Sequence, residues 1–332
     1  MNSTDIPRIS VVIPAYNAAE FLGEAIQSVL AQTCQPIEII VVDDGSKDET
    51  PAVAVEYSGK ITYIRKPNGG DASARNVGVR AATGDWVAFL DADDKWAPTL
   101  LETLFECACK TGTDFVFCDS VSLNNGIIGG PTFLEKRRVK DRLNILAPQG
   151  VLLNPFELFT EVGCYILTSG VMIRREVILN AGLFDEAIFC SNDFDLWLRL
   201  SLGNRFGVVK DPLMFRRIHA SNISQNPWTL VDALLKVNGK IEQYAIAYPS
   251  TIDWREFVRQ EKARLLREKG SLFLERGDSL PARESYSLSL QAVFSIRVAI
   301  YWLATFLPAS WTGALRNWKF QFMATVLNSG NK

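Results

Sequence analysis

The stretch Trp86–Asp94, WVAFLDADD, decides the fold. Its first five residues form an unbroken apolar run, which suits a strand buried on both faces better than one alternating between core and water. The run stops at Asp91, with Asp93 and Asp94 just beyond. The same arrangement recurs upstream. Ser10–Ile13 (SVVI) runs into Pro14-Ala15-Tyr16-Asn17, and Ile37–Val42 (IEIIVV) runs into Asp43-Asp44-Gly45-Ser46. Ile61–Ile64 reads as a further strand. Helical patterns lie between. Leu22, Ala25, Ile26, Val29 and Leu30 follow the spacing of a helix with one buried face. Residues 48–57 and 71–82 read as two more helices, the second closed by Gly84. Asn17 and Glu20 have the spacing of a capping box for the first helix.

Buried strands alternating with helices predict an α/β fold built on a parallel sheet covered on both faces. In such sheets ligands bind outside the carboxyl ends of the strands. The clusters Tyr16-Asn17, Asp43-Asp44 and Asp91–Asp94 are therefore expected to converge on one crevice. Asp91, Asp93 and Asp94 repel one another unless hydrogen bonds or a cation neutralise them. Taken alone, DADD could be a solvated turn of capping aspartates. Beside the other two clusters it reads as a site for Mg²⁺ or Mn²⁺, which takes one or two carboxylates and fills its shell with water and phosphate oxygens. No GxGxxG or GxxxxGK[ST] follows the first strand, which argues against a dinucleotide-dependent dehydrogenase and a P-loop NTPase. Diphosphate charge would then fall to the metal and to cationic side chains, with Arg75 and His219 as candidates.

Composition narrows the field further. At 332 residues the chain has room for two domains. Hydrophobic residues at 48% and charged residues at 22% indicate a soluble globular protein. A net charge of −2 gives no general attraction for nucleic acid. The single histidine, His219, excludes any site that needs two. Six cysteines form no CxxC pair and read as buried thiols of a reduced, cytoplasmic chain. The opening MNSTDIPRIS has neither the basic nor the apolar part of a secretory leader.

Beyond Pro98 the α/β pattern continues, with a helix around Leu101–Ala108, strands at Phe115–Cys118 and Tyr165–Ile173, and a helix at Asp193–Leu202. Glu135–Arg142 (EKRRVKDR) reads as a solvated loop or, alternatively, a mobile lid over phosphates. After Asn222 the pattern turns helical. Residues 270–293 read as two helices around Arg276-Gly277-Asp278. Ala282 and Tyr286 give them the look of a single tetratricopeptide-type pair.

No Asp or Glu follows Glu284, while Arg297, Arg316, Lys319 and Lys332 remain. The uncharged stretch between Arg297 and Arg316 is at the lower edge of the length that spans a bilayer, and Pro308 and Gly313 would break its helix. Trp302, Trp311 and Trp318 suit the headgroup level of a membrane. Residues 285–332 are thus expected either to pack on the preceding domain or to make peripheral contact with a membrane.

Several of these stretches together resemble family 2 glycosyltransferases, which have the GT-A fold. They are VIPAYN at 12–17, Gln32-Thr33, VDDGSKD at 42–48, Ala74-Arg75-Asn76-x-Gly78, FLDADD at 89–94 and Pro98. GLFDE at 182–186, DFDLWLRL at 193–200 and Arg217-Ile218-His219 extend the resemblance, which covers residues 8–225. It implies a GT-A, Rossmann-like, mostly parallel sheet with helices on both faces, as a catalytic domain at 1–222. A helical C-terminal appendage at 223–332 would follow.

By the same resemblance, Pro14, Ala15, Tyr16 and Asn17 would frame the nucleotide base, and Asp43 would accept hydrogen bonds from it. Arg75 would contact the nucleotide side of the cleft, and Asp91 with Ala92 would approach the ribose. Asp93 would ligate the divalent metal, with His219 beside the diphosphate and metal. Asp193 would be the general base. Asn192 stands where members often carry Glu and would offer an acceptor hydroxyl a hydrogen bond without charge. Asp195 is expected to cap or solvate its helix.

The implied activity is metal-dependent, inverting transfer from a nucleotide-sugar, a UDP-sugar above all, to a glycan or lipid-linked acceptor. Its setting would be polysaccharide biosynthesis, in the cytoplasm or at the inner face of the membrane. A non-catalytic nucleotide-sugar-binding or scaffold member is one alternative. A sugar-phosphate nucleotidyltransferase is the other, but its glycine-rich first loop is missing after Ile13. Sugar, acceptor and linkage would depend on residues 124–168.

Overall fold

The computed structural model of the protein describes residues 7–219, 226–246 and 253–306. The chain divides into two compact units, Met1–Ile223 and Ser224–Lys332. The strands of the first unit are β1 (Ile9–Ala15), β2 (Glu38–Asp43), β3 (Thr62–Arg65), β4 (Trp86–Phe89), β5 (Lys95–Trp96), β6 (Phe115–Asn124), β7 (Ile127–Gly129), β8 (Val151–Leu152), β9 (Val171–Arg174) and β10 (Phe206–Arg217). Its helices are α1 (Leu22–Leu30), α2 (Thr50–Glu56), α3 (Asp71–Ala81), α4 (Leu100–Thr111), α5 (Phe133–Lys136), α6 (Lys140–Leu146), α7 (Pro155–Val162), α8 (Arg175–Asn180) and α9 (Asn192–Ser201).

All ten strands join one sheet in the order β3-β2-β1-β4-β9-β6-β10-β5, with β7 on β6 and β8 on β10. β3, β2, β1 and β4 are parallel, as are β6 and β10. Parallel neighbours need long crossovers, which the intervening helices supply. β9 runs antiparallel between β4 and β6. Every residue of β1 is buried, so both faces of the sheet are covered there. On α1 the predicted stripe is the buried one. Leu22, Ile26 and Val29 are each fully enclosed, worth roughly 1.5–3 kcal/mol apiece. A Cβ on Gly78 would sit 2.3 Å from a Val12 methyl, so α3 can lie this close to β1 only with glycine there.

Some local expectations are corrected. Asn17 does not cap α1. Its φ of 49° is left-handed, a conformation Asn tolerates. Its amide donates to Ser46 Oγ (2.9 Å) and its Oδ1 accepts from the Lys47 amide (2.8 Å), which locks the turn after β1 to the turn after β2. The helix starts beyond Phe21 with no side-chain cap. Gly84 does not close α3, which ends at Ala82 in an extended cap. A Cβ on Gly84 would lie 2.7 Å from the Arg8 carbonyl oxygen, so a close strand approach explains the residue. Glu135–Arg142 is only in part a loop, the turn at 137–139. The rest is the end of α5 and the start of α6, held by a Thr132/Glu135 capping box and by Lys140–Glu135 (2.9 Å) and Arg142–Glu161 ion pairs. The stretch read as a strand from Tyr165 begins pairing only at Val171, because Thr168–Gly170 forms a 3₁₀ turn.

The second unit contains α10 (Pro227–Ile246), α11 (Trp254–Arg276), α12 (Ser279–Ala292) and α13 (Ile296–Ala304). Gly277, at φ 92°, turns the chain between α11 and α12 where the sequence marks the turn. Ala282 and Tyr286 are buried between the helices.

Candidate active site

The three polar clusters meet at the carboxyl edge of the parallel strands. At the end of β1, Pro14 and Ala15 are buried in the strand, while the Tyr16 ring is 47% exposed. Asp43, at the end of β2, is fully enclosed. Its oxygens accept from the Ser46 amide (2.8 Å) and the Tyr63 hydroxyl (2.5 Å), with Arg65 at 3.6 Å. Burial pushes its carboxyl up, but these partners outweigh burial and hold it below the ordinary range. Asp43 therefore anchors the loop here rather than opening on the crevice. Asp44 accepts from Lys66 (2.5 Å) and from the Gly69 and Gly70 amides (3.0 and 2.7 Å), which shapes the approach to α3.

Arg75, on α3, is the hub. It is buried, and its guanidinium donates to Asp71 (2.6 Å), Asn192 (3.1 Å) and Asp91 (2.8 Å). Burial disfavours its charge, but Asp91 and Asp71 more than compensate, so it stays protonated. One side chain thus ties α3, the end of β4 and the start of α9 together. Asn192 is spent in this knot, donating also to Asp71 (3.1 Å) and the Ile188 carbonyl (3.3 Å). At 1% exposure its amide has no face toward an incoming sugar, because Arg75 needs its oxygen. The reading of Asn192 as an acceptor contact is corrected to a positioning role.

After β4, Asp94 is buried and accepts from Ser169 Oγ (2.6 Å) and the Arg217 amide (3.0 Å). Burial, then the charges of Asp93 and Asp91, raise its carboxyl well above the ordinary range. Ser169 also accepts from the Asp91 amide (3.0 Å). Asp93 keeps a partly exposed carboxylate, 2.9 Å from His219 Nε2. Burial and the neighbouring Asp91 raise it. The His219 ring rests against Phe21 at 4.9 Å between centroids. Beside it opens a cavity of about 400 Å³, lined in part by Phe21, Leu123, Ile128 and Arg217.

Asp93 and His219 fit a divalent cation that arrives with a diphosphate. Both are partly open, and together they offer one hard oxygen and one imidazole nitrogen, leaving the remaining positions to phosphate and water. Among the described residues no cluster of three or more such side chains holds a metal unaided.

Asp193 opens α9. Its Oδ1 accepts from the Phe194 amide (2.8 Å) and its Oδ2 from the Thr168 hydroxyl (3.0 Å). Burial lifts its carboxyl above the usual range, and the Arg75 charge only partly offsets this. Asp195 is different. It neither caps nor solvates the helix but is fully buried, clamped by Arg199 Nε (3.0 Å) and Nη2 (2.8 Å). Arg199 in turn holds the Ala181 and Leu183 carbonyls. Asp195→Asn should therefore act on stability, costing roughly 3 kcal/mol as a broken buried pair. Thermal unfolding would register the loss, and an unchanged Tm would contradict this account.

Sequence reasoning missed Thr168, Ser169, Asp71 and Arg217. The two hydroxyls were hidden inside a stretch read as plain strand. Asp71 stood in view only as the start of a helix, and Arg217 only as part of the Arg217-Ile218-His219 motif.

The sequence profile of Glycosyl transferase family 2 matches residues 10–163, which carry β1, β2, β4 and their acidic ends. The chain is similar to this family over that part of its length. An uncharacterized glycosyltransferase of Rickettsia prowazekii is 34% identical to this chain over 224 residues, 65% of either protein. The chain thus spans just under two thirds of that relative. Among solved structures, Staphylococcus aureus TarS 1–349 in complex with UDP-GlcNAc superposes with a TM-score of 0.61 at 19% identity. The match covers 89% of this chain and 83% of TarS 1–349. The mannosyltransferase PcManGT from Pyrobaculum calidifontis, in complex with GDP-Man and Mn²⁺, gives 0.56 at 20% identity, over 93% and 84%. At this identity the two structures speak to the fold, and the expected GT-A architecture is the one observed.

Proposed function

We propose that this protein transfers a sugar from a nucleoside diphosphate donor, UDP-linked, to a hydroxyl of a glycan or lipid-linked glycan, with inversion. The catalytic role falls to residues 1–222 and an accessory one to 223–332. The observation that carries the reading is the Arg75 knot. It joins the end of β4, with its acidic cluster, to the helix that presents Asp193. Donor and acceptor chemistry thereby share one crevice. TarS, solved with UDP-GlcNAc, supports a UDP-sugar, and PcManGT, solved with Mn²⁺, supports a divalent metal.

In this mechanism the exposed Tyr16 ring meets the base. Asp91, steadied by Arg75, faces the ribose side. Asp93 and His219 would hold the divalent cation, which when bound neutralises the diphosphate leaving group as a Lewis acid. The acceptor oxygen bonds to the anomeric carbon on the face opposite the diphosphate. The bond from that carbon to the diphosphate oxygen breaks, and the diphosphate carries away the electron pair. Asp193 takes the hydroxyl proton, with Thr168 fixing the carboxylate's orientation.

Purified full-length protein, given a panel of nucleotide-sugars with Mn²⁺ or Mg²⁺, should slowly release nucleoside diphosphate from one donor. That donor should also raise Tm, since ligand at 100 times its Kd stabilises by about 2.7 kcal/mol. Neither release nor stabilisation with any donor would refute the proposal.

A further inference from the structure

We infer that the outer face of α13 is a docking surface for an anionic lipid bilayer. The helix is split lengthwise. Its inner face, Val298 and Ala304, is buried. Trp302 donates to Ser287 Oγ (2.8 Å), and Arg283 of α12 donates to Thr305 Oγ1 and its carbonyl (both 3.1 Å), so α13 is pinned to α12. Its outer face carries Ile296, Ile300 and Leu303, spaced four and three residues apart. With Phe294 and Phe306 at its ends, these five large apolar side chains are between 47% and 74% exposed. Isolated apolar residues on a surface are ordinary, but a stripe continuous with one helix face marks an interaction site.

Charge identifies the occupant. The sequence has 37 acidic residues, and none lies after Glu284, a stretch of 48 residues that holds four cations. A second copy of the chain, or residues 307–332 folded over the stripe, would need the apolar face but gains nothing from removing every carboxylate. A negatively charged surface needs both. Residues 307–332 lie outside the described residues, but their sequence sets Trp311 and Trp318 near Arg316 and Lys319, residue types that favour an anionic headgroup layer. Among the described residues no helix is long and apolar enough to cross a membrane, so the contact is peripheral. This inference is independent of the proposed reaction.

The test is flotation of the full-length protein with phosphatidylcholine vesicles, with or without 30% phosphatidylserine. The protein should float with the anionic vesicles and far less with the neutral ones. The double variant Ile300→Asp/Leu303→Asp should remain in the soluble fraction. Arg316→Glu/Lys319→Glu leaves α13 untouched and should lower partitioning at least about tenfold, since each cation near such a surface is worth roughly fivefold. Flotation that neither variant reduces would overturn the inference. So would a wild type that ignores anionic vesicles at low salt, including one that is instead a dimer dissociated by the Ile300/Leu303 variant. Nucleotide affinity, read on the same samples, reports separately on the catalytic proposal.

Discussion

Asp193→Asn should reduce turnover by roughly 10² to 10⁴-fold, the usual contribution of a general base, while donor affinity is unchanged. Asn keeps the shape and can still face Thr168 and the Phe194 amide, but it cannot take a proton. The fold should not suffer. Burial raises the Asp193 carboxyl, so its support of the native state is complete only below its unfolded pKa, about 3.9, and is lost as pH rises through the higher folded value. At neutral pH the variant should therefore melt no lower than wild type. If Asp193 is the base, the same shift should set the acid limb of the wild-type rate profile. Activity should fall, as pH drops, at a higher pH than a free carboxylate would give, and the variant should lose that limb. Turnover near the wild-type rate with Asn at 193 would move the base elsewhere. Asp195, clamped by Arg199, could not inherit the role.

Asp93→Ala should abolish the metal-dependent part of donor affinity. Isothermal calorimetry of UDP with and without Mn²⁺ separates that part from contacts to the base. The expected loss is about 100-fold or more in the presence of Mn²⁺, because even a residue that merely supports a metal ligand is worth 10- to 100-fold. Without Mn²⁺ the two proteins should bind UDP alike. The variant should fold, since removing one charge relieves the crowding that raises Asp94. Equal Mn²⁺-dependent affinity in both proteins would dismiss Asp93 as a ligand.

Periodicity made the parallel half of the sheet readable. A strand such as WVAFL, buried on both faces, has no competing interpretation once an acidic turn follows it. The convergence of the clusters came from topology alone, because parallel strands put their carboxyl ends on one edge. The sequence was silent where an interaction is made by one polar atom across a long separation. Nothing local distinguishes Asn192, locked onto Arg75 from 117 residues away, from an exposed amide. Nothing local marked Asp195 as buried while Asp193, two residues earlier, stays partly open. Asn17 looked like a helix cap because capping signals are short, and its pairing with Ser46 and Lys47 is not visible in its neighbours.

The reversed strand β9 has an engineering consequence. Because it runs against β4, it begins where β4 ends, with Met172 beside Ala88, and the chain enters it next to the acidic turn. Thr168 and Ser169 reach the aspartates for that reason alone. Residues 125–167 leave the sheet after β6 and return to it at β9, yet they are woven into it on the way, because β7 pairs with β6, β8 pairs with β10, and Phe159 and Tyr165 are buried against Phe117 and Phe206. Grafting a different segment here would therefore have to replace part of the core as well as a loop.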